Sequence, residues 1–262
     1  MRAGLEAWAR DSGRRLVLLD DRSDPATAAA VHAELRRRGC DPVLGPYGSD
    51  STRAVARGSA GAPVWNHGAA ADDVQRLPGV VSVPSPASRY LVAAARAATG
   101  LGSERIAVLA APGRFARLAR EGLEREMVLV PAREADCVLL CGPVEWEAER
   151  FRSLTGRGLL LGGLSPGLPS APRTWPDGTL APVQWHPDLG GPPGVEDYVA
   201  AQAYAAALIA SVSPSLEAAR RLRTETFFGA FELDESGLQV GHRLSVVRWR
   251  DGRQEVVLAQ AA

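Results

Sequence analysis

Three side chains able to build an activated nucleophile stand close together in this chain: Ser49, Asp50 and His67. A serine hydroxyl attacks well only when a base such as imidazole takes its proton, and a carboxylate can orient that base. No nucleophile-elbow sequence surrounds Ser49. The same residues therefore also suit a turn that caps a helix and donates hydrogen bonds to a ligand. Asp20 and Asp21 are of the type used in acid–base work, but with Asp24 they fit turn and cap chemistry. Glu145 reads as a ligand anchor or as a carboxylate placed at a helix start. Trp65 reads as a stacking platform or as a core residue. The four histidines are scattered: besides His67, His32 falls on a helix, outward, His186 reads as structural, and His242 lies in the tail hairpin region. Without metal-ligand spacing, neither a metal nor a cofactor is expected. Cys137 and Cys141 fall on one face of a strand, about 13 Å apart and beyond disulfide reach. Gly45 and Gly48 lack the spacing of a phosphate-binding loop.

These residues need elements to hold them, and the chain alternates strand and helix signals. Leu16–Leu19 is a short continuous apolar run, the mark of a strand buried on both faces. Asp24 can cap the helix that Pro25 opens, and Gly39 can close it in the left-handed conformation. Pro42–Leu44 reads as a second strand, followed by a turn in which Ser49 or Asp50 caps the next helix. Ala62–Asn66 is a third strand, leading into His67–Ala71. Further strands are expected at Val80–Val83, Arg105–Leu109, Met127–Val130, Cys137–Cys141, Gly158–Leu161 and Thr179–Trp185, with helices between most of them. Pro166–Pro176 is a Pro-rich loop. Tyr198–Ala210 is an Ala-rich helix and Leu216–Arg223 a shorter one. Asp251-Gly252, between two apolar runs, signals a closing hairpin. Alternation of this kind predicts parallel sheets with right-handed crossovers and a ligand outside the carboxyl ends of the strands. That rule points to Tyr47–Ser51 and Asn66–Ala71.

Composition narrows the partners. The 262 residues are 46% hydrophobic and 23% charged, enough for two lobes. The 30 basic residues balance 30 acidic ones, so neither nucleic acid nor an anionic membrane is attracted in general. All of the basic residues are arginine; the chain has no lysine. No run approaches the roughly 20 apolar residues of a spanning helix, and Met1–Arg10 is amphipathic rather than a signal-peptide core. As written, the protein is expected to stay in the cytoplasm.

The segment LLDDRSDPATAAAVHAELRRRGCDPVLGPYGSDST resembles the start of the branched-chain amino-acid (Leu/Ile/Val) binding proteins of ABC transporters, type I periplasmic solute-binding proteins. GAPVWNHGAAADD is similar to the family's next ligand-holding loop, SERIAVL to the first strand of its second lobe, and FGAFELDESGLQVGHRLSVVRWRDG to its closing segment. The resemblance runs in order along nearly the whole chain. It implies an α/β fold of two Rossmann-like lobes, residues 1–86 with 190–240 and residues 87–189 with 241–262, that close by hinge motion around a ligand between them. It also implies a small-molecule ligand, a transporter permease as partner and an extracytoplasmic or lipid-anchored location.

Residue by residue, Ser49 matches a carboxylate-binding turn serine, and Gly68, Ala69 and Ala70 match the loop that holds the same head group. Tyr47, Asp50, Trp65, Asn66 and His67 flank them. Ala70 stands where amino-acid binders carry Thr, Leu164 stands near their acidic ammonium anchor, and Phe115 stands near a family Tyr. An amide or aromatic ligand fits these departures better than an ordinary α-amino acid, because a buried zwitterion without partners is costly. The family also starts with a central strand and a ligand-contacting loop that have no counterpart ahead of Met1. Either the start lies upstream or the sheet is rearranged. Val130–Cys137 is too short for the family's crossover helix. A cytoplasmic sensor of the same fold, and an enzyme using Ser49, Asp50 and His67 in the cleft, are the alternatives to a transport role.

Overall fold

Strands and helices exist where the backbone finds partners, and this chain finds them unevenly. The structure, a computed structural model, describes residues 1–59, 61–172, 175–213 and 215–258. The last four residues expected in the second lobe and residues 173–174 of the Pro-rich loop lie outside the described residues. In chain order the elements are α1 (Arg2–Ser12), α2 (Pro25–Arg37), α3 (Ser49–Gly58), β1 (Val64–Asn66), α4 (Asp72–Gln75), β2 (Val80–Ser82), α5 (Tyr90–Gly100), β3 (Ile106–Ala110), α6 (Arg114–Glu124), β4 (Cys137–Cys141), α7 (Val144–Leu154), β5 (Leu160–Gly163), β6 (Leu180–Val183), α8 (Tyr198–Val212), α9 (Leu216–Arg221), β7 (Thr224–Thr226), β8 (Gly229–Phe231), β9 (Ser245–Arg250) and β10 (Arg253–Leu258). They fall into two compact units, Met1–Pro86 with Leu189–Arg243, and Ala87–Asp188 with the closing segment from Leu244.

The second unit is a six-stranded sheet in the order β10-β9-β6-β5-β4-β3. β3 to β6 run parallel, and β9 and β10 return antiparallel at one edge. Its strand β4, CVLLC, one in from the β3 edge, is buried at every residue because helices cover both faces. The period of two sorts these residues: Cys137, Leu139 and Cys141 pack against Leu91, Ala94, Ala98 and Leu123, while Val138 and Leu140 pack with Phe151, Trp175 and Trp249. Both cysteines are free and buried, and burial pushes the Cys137 thiol up to about 12. The closing hairpin turns through Asp251 and Gly252 with φ of 50° and 70°, the positive pair that a tight two-residue turn requires.

Met127–Val130 is not a strand. Val130 makes one backbone bond, to the Ile106 carbonyl, and Val128 is 90% exposed. The crossover from β3 to β4 is therefore α6, and the shortness of Val130–Cys137 costs the sheet nothing.

The first unit has the same ingredients without a closed sheet. β1 and β2 pair in parallel, Val64 opposite Val80 and Asn66 opposite Ser82. Pro42–Leu44, expected as a strand, contributes a single parallel bridge from Leu44 to Trp65. Leu16–Leu19 is not a strand at all. Among the described residues, no backbone group of residues 14–19 bonds to another backbone group, so an apolar run of strand composition has nothing to pair with. Asp24 caps α2 as expected, accepting from Thr27 N–H at 2.7 Å ahead of Pro25. Residue 48, rather than Ser49 or Asp50, is the N-cap of α3, because Gly48 sits at φ 99° and its carbonyl starts the helix. α1 packs closely on α8: a Cβ at Gly4 would lie 2.0 Å from the Ala200 carbonyl oxygen. α2 lies against α3, over a small core of Ala28, Val55, Val64 and Val80. His32, expected at the surface, is 7% exposed. α2 turns it inward, and burial lowers its pKa, with Arg36 adding to the effect.

Candidate functional site

Two turns of the first unit carry most of the expected site residues, one after Leu44 and one after β1. The β1 turn is organised by Asn66, a buried amide at the strand end. Its Oδ1 accepts from Gly68 N–H at 3.0 Å and Ala69 N–H at 2.6 Å, and its Nδ2 donates to the Ala69 carbonyl at 2.7 Å and to Ser82 Oγ at 2.8 Å. With all its hydrogen-bonding capacity used locally, Asn66 fixes the loop rather than waiting for a ligand. Gln75 of α4 reinforces it, donating to the Ala69 and Pro84 carbonyls. Ala69 is buried, and Gly68 and Ala70 are half-buried.

The turn after Leu44 meets this loop. Ser49, the first helical residue of α3, accepts from Ala71 N–H at 3.4 Å. Thr52 Oγ1 donates to the Gly48 carbonyl at 2.9 Å and holds the turn. Asp50 is exposed in the first turn of the helix. The Tyr47 ring covers Gly68 so closely that a Cβ there would lie 2.2 Å from it, and it inclines toward His67 at a centroid distance of 6.2 Å. Its hydroxyl reaches Gln202 and Tyr198 of α8, and burial raises its pKa against the pull of those hydrogen bonds. Arg53 of α3 and Asp73 of α4 close one side with an ion pair at 2.7 Å.

His67 is the unusual group. It is 1% exposed, and neither ring nitrogen has a hydrogen-bond partner. Burial, aided by the Met1 ammonium, lowers its pKa to about 4. An unpartnered His67 makes no hydrogen bond to Ser49, so the nucleophile pairing read from the sequence is not formed. Trp65 is 1% exposed inside β1, a packing position between the Leu44 bridge and Val81.

The second unit places its own candidates at the carboxyl ends of β3 to β6. Phe115 stands edge-on to Tyr90 at 5.3 Å, and the Tyr90 hydroxyl accepts from Gln184 Nε2 at 2.6 Å. Leu164 is half-buried against the apolar cluster. Glu145 projects into solvent from the first turn of α7, and it is Glu147, two residues on, that turns inward. Glu147 is 0% exposed, accepting from Gly142 N–H and Ser165 N–H at 2.8 Å each. Burial raises its pKa to about 7 in spite of those two donors. It pins the loop after β4 to the loop after β5. Sequence reasoning passed over Glu147, Gln75, Tyr90 and Gln184. Glu147 had a signal: it lies three residues after Val144 and four before Phe151, on the inward stripe of α7. Among the described residues no group of His, Cys, Asp and Glu could hold a metal ion.

No family model and no curated protein matches the chain. Solved structures do. The chain is similar to the branched-chain amino acid transporter substrate-binding protein LivJ of Streptococcus pneumoniae, solved with isoleucine, at TM-score 0.77 and 13% identity, over 99% of this chain and 94% of that one. It is similar to an ABC transporter substrate-binding protein of Desulfitobacterium hafniense at TM-score 0.78 and 16% identity, over 97% and 94%. It is also similar to a solute-binding protein of an ABC transporter of R. palustris, solved with benzoate, at TM-score 0.72 and 16% identity, over 100% and 92%. The fold is that of the type I periplasmic binding proteins of ABC transporters. No helix is long and apolar enough to cross a membrane among the described residues.

Proposed function

We propose that this chain binds a small organic acid, aromatic rather than α-amino, as the solute-binding component of an ABC-type uptake system. The observation that carries the reading is the loop that Asn66 folds, which brings Gly68–Ala71 beside the Ser49 hydroxyl at the start of α3. A hydroxyl and backbone N–H groups at a helix N-terminus suit a carboxylate. An ammonium fares worse. In the second unit Leu164 is apolar, Glu145 points to solvent, and Glu147 is engaged by two backbone donors. Solved structures similar to this chain were obtained in complex with isoleucine, benzoate, 4-hydroxybenzoate and 3,4-dihydroxybenzoic acid, which supports an acid of this size.

Calorimetric and thermal-shift titration with benzoate, 4-hydroxybenzoate, leucine and isoleucine tests the reading. The benzoates are expected to raise the melting temperature by mass action. Ser49→Ala is expected to weaken them about tenfold, the worth of one hydrogen bond to a charged group. Micromolar binding of leucine with no response to either benzoate would overturn the aromatic assignment. Silence with all four acids would overturn solute binding.

A further inference from the structure

Two Asp-Gly pairs meet in the second unit, Asp177-Gly178 ahead of β6 and Asp251-Gly252 in the turn between β9 and β10. No other aspartate in the chain precedes a glycine. Such a pair can close on itself. The glycine nitrogen attacks Cγ of the protonated aspartate carboxyl, a C–N bond forms, and the carboxyl hydroxyl leaves as water with the amide proton. Water then opens the cyclic imide. Cleavage at Cγ restores aspartate, and cleavage at the main-chain carbonyl leaves isoaspartate, with the backbone running through Cβ. The water lost in the first step returns in the second, so no other reactant is needed. Glycine favours the closure because no side chain hinders the turning peptide plane.

The two pairs are alike in sequence, and Asp177 and Asp251 are both exposed. They differ in what holds the reacting atoms. Gly178 N–H donates to the Trp249 carbonyl at 2.8 Å, and the Asp177 carboxylate accepts from Asp251 N–H at 3.0 Å. Nucleophile and electrophile are both tied there. A bonded amide is harder to deprotonate, and its peptide plane swings onto Cγ only by breaking that bond. At the hairpin tip, among the described residues, neither the Gly252 N–H nor the Asp251 carboxylate has a hydrogen-bond partner. A Cβ at Gly252 would meet nothing within 4 Å, so the peptide plane between the two residues has room to turn. Asp251 also sits at φ 50°, in the left-handed region that a non-glycine residue occupies at a cost. Asp177 carries no such strain.

We propose that Asp251 is a site of spontaneous isoaspartate formation in the folded protein, and that Asp177 is spared by the hydrogen bonds on its carboxylate and on Gly178. The proposal does not rest on the solute reading. Conversion lengthens the main chain by one atom inside a turn built for two residues, and so loosens the pairing of Arg250 with Arg253 from which β10 starts.

The test ages the purified chain in warm neutral buffer. Isoaspartate is counted by methyl transfer from S-adenosylmethionine with an isoaspartyl methyltransferase, and its position is read by peptide mapping. Residue 251 is expected to convert about tenfold faster than residue 177, the worth of the hydrogen bonds that must break at the latter. Synthetic peptides spanning residues 247–255 and 175–181 give the rate of each pair without the fold, and their rates are expected to differ far less. Gly252→Ala is expected to slow conversion at 251 about tenfold by hindering the attacking nitrogen, with residue 177 unchanged as the internal standard. Conversion at 177 as fast as at 251 in the folded chain would overturn the proposal. So would no isoaspartate at 251 in the time the free peptides convert, or undiminished conversion in Gly252→Ala. A peptide ratio as large as that of the protein would also overturn it, because the selectivity would then belong to the neighbouring residues and not to the fold. No solute is present in any arm, so failure here leaves the acid-binding reading to its own titration.

Discussion

The two units solve the same construction problem to different degrees. In the second, every inner strand from β4 to β6 has a neighbour on each side, and the return of β9 and β10 covers the flank of β6. In the first, two strands of three residues each and one isolated bridge are all the parallel pairing there is among the described residues. Both units contain apolar runs of strand composition, LVLL in one and CVLLC in the other. One is buried at every position, and the other leaves two leucines at the surface. What separates them is the presence of a partner: a strand is a property of pairs, and composition supplies only half of the pair.

The largest effects test that contrast directly. Leu140→Ala, in the fully buried strand β4, is expected to destabilise the second unit by about 2–5 kcal/mol. Leu18→Ala in the unpaired run of residues 16–19 is expected to change the first by less than ~0.5 kcal/mol. Denaturant unfolding followed by hydrogen exchange in each unit measures both. A Leu18 effect as large as that of Leu140 would mean that this run is packed in solution, and the contrast would fail.

Titration sharpens the comparison because the two units carry buried groups of opposite sign. His67 is held near pKa 4 in the folded chain against 6.5 in the unfolded one. Its contribution is full above pH 6.5 and is lost as pH falls toward 4, since the unfolded chain then takes up a proton that the folded chain refuses. Glu147 is held near 7 against 4.5. Its contribution is full below pH 4.5 and is lost as pH rises through 7. Each shift corresponds to about 3 kcal/mol at most. Between pH 4 and 7 the first unit is therefore expected to gain stability while the second loses it. His67→Leu should flatten the first trend and Glu147→Gln the second. Parallel pH trends in the two units would contradict these assignments.

The smallest expected effects come from two helix caps, both in the first unit, which should not differ from one another although one helix is half-exposed and the other is buried. Asp24→Ala, which removes the acceptor for Thr27 N–H at 2.7 Å, is expected to cost about 1 kcal/mol. The same substitution at Asp197, which caps α8 by accepting from Ala200 N–H at 2.8 Å, is expected to cost a similar amount. Thermal unfolding of both variants provides the measurement. A cap worth several times more at one helix than at the other would show that local signals are not independent of the packing beside them.

Local signals were the legible part of the sequence. Asp24-Pro25 opened α2, Gly39 closed it in the left-handed region, and Asp251-Gly252 turned the last hairpin. CVLLC read correctly as a strand, and its burial on both faces came only with the helices packed on it. Residues 16–19 and 127–130 have the same local character, yet they form no strand, because pairing depends on chain far away in sequence. The site divides in the same way. The turns after Leu44 and β1 were picked out as candidates by the strand-end rule, whereas the carboxylate sought on α7 at Glu145 is exposed and the inward one is Glu147. A carboxylate on an apolar stripe runs against hydropathy, and only the two backbone donors from neighbouring loops make it tolerable there.

The absence of lysine also governs how the protein behaves as a solute itself. An ordinary chain sheds positive charge near pH 10 as its ammonium groups deprotonate and so acquires a net negative charge that keeps molecules apart. Here all 30 basic side chains are guanidinium groups, which keep their protons throughout that range. Burial holds the Cys137 and Cys141 thiols protonated, and the Tyr47 and Tyr204 hydroxyls ionise late. The net charge, +0 at pH 7, therefore stays close to zero far into alkali. Colloidal repulsion is weak across that whole plateau, and it returns on the acid side, where the carboxylates take up protons and the arginines are left unbalanced.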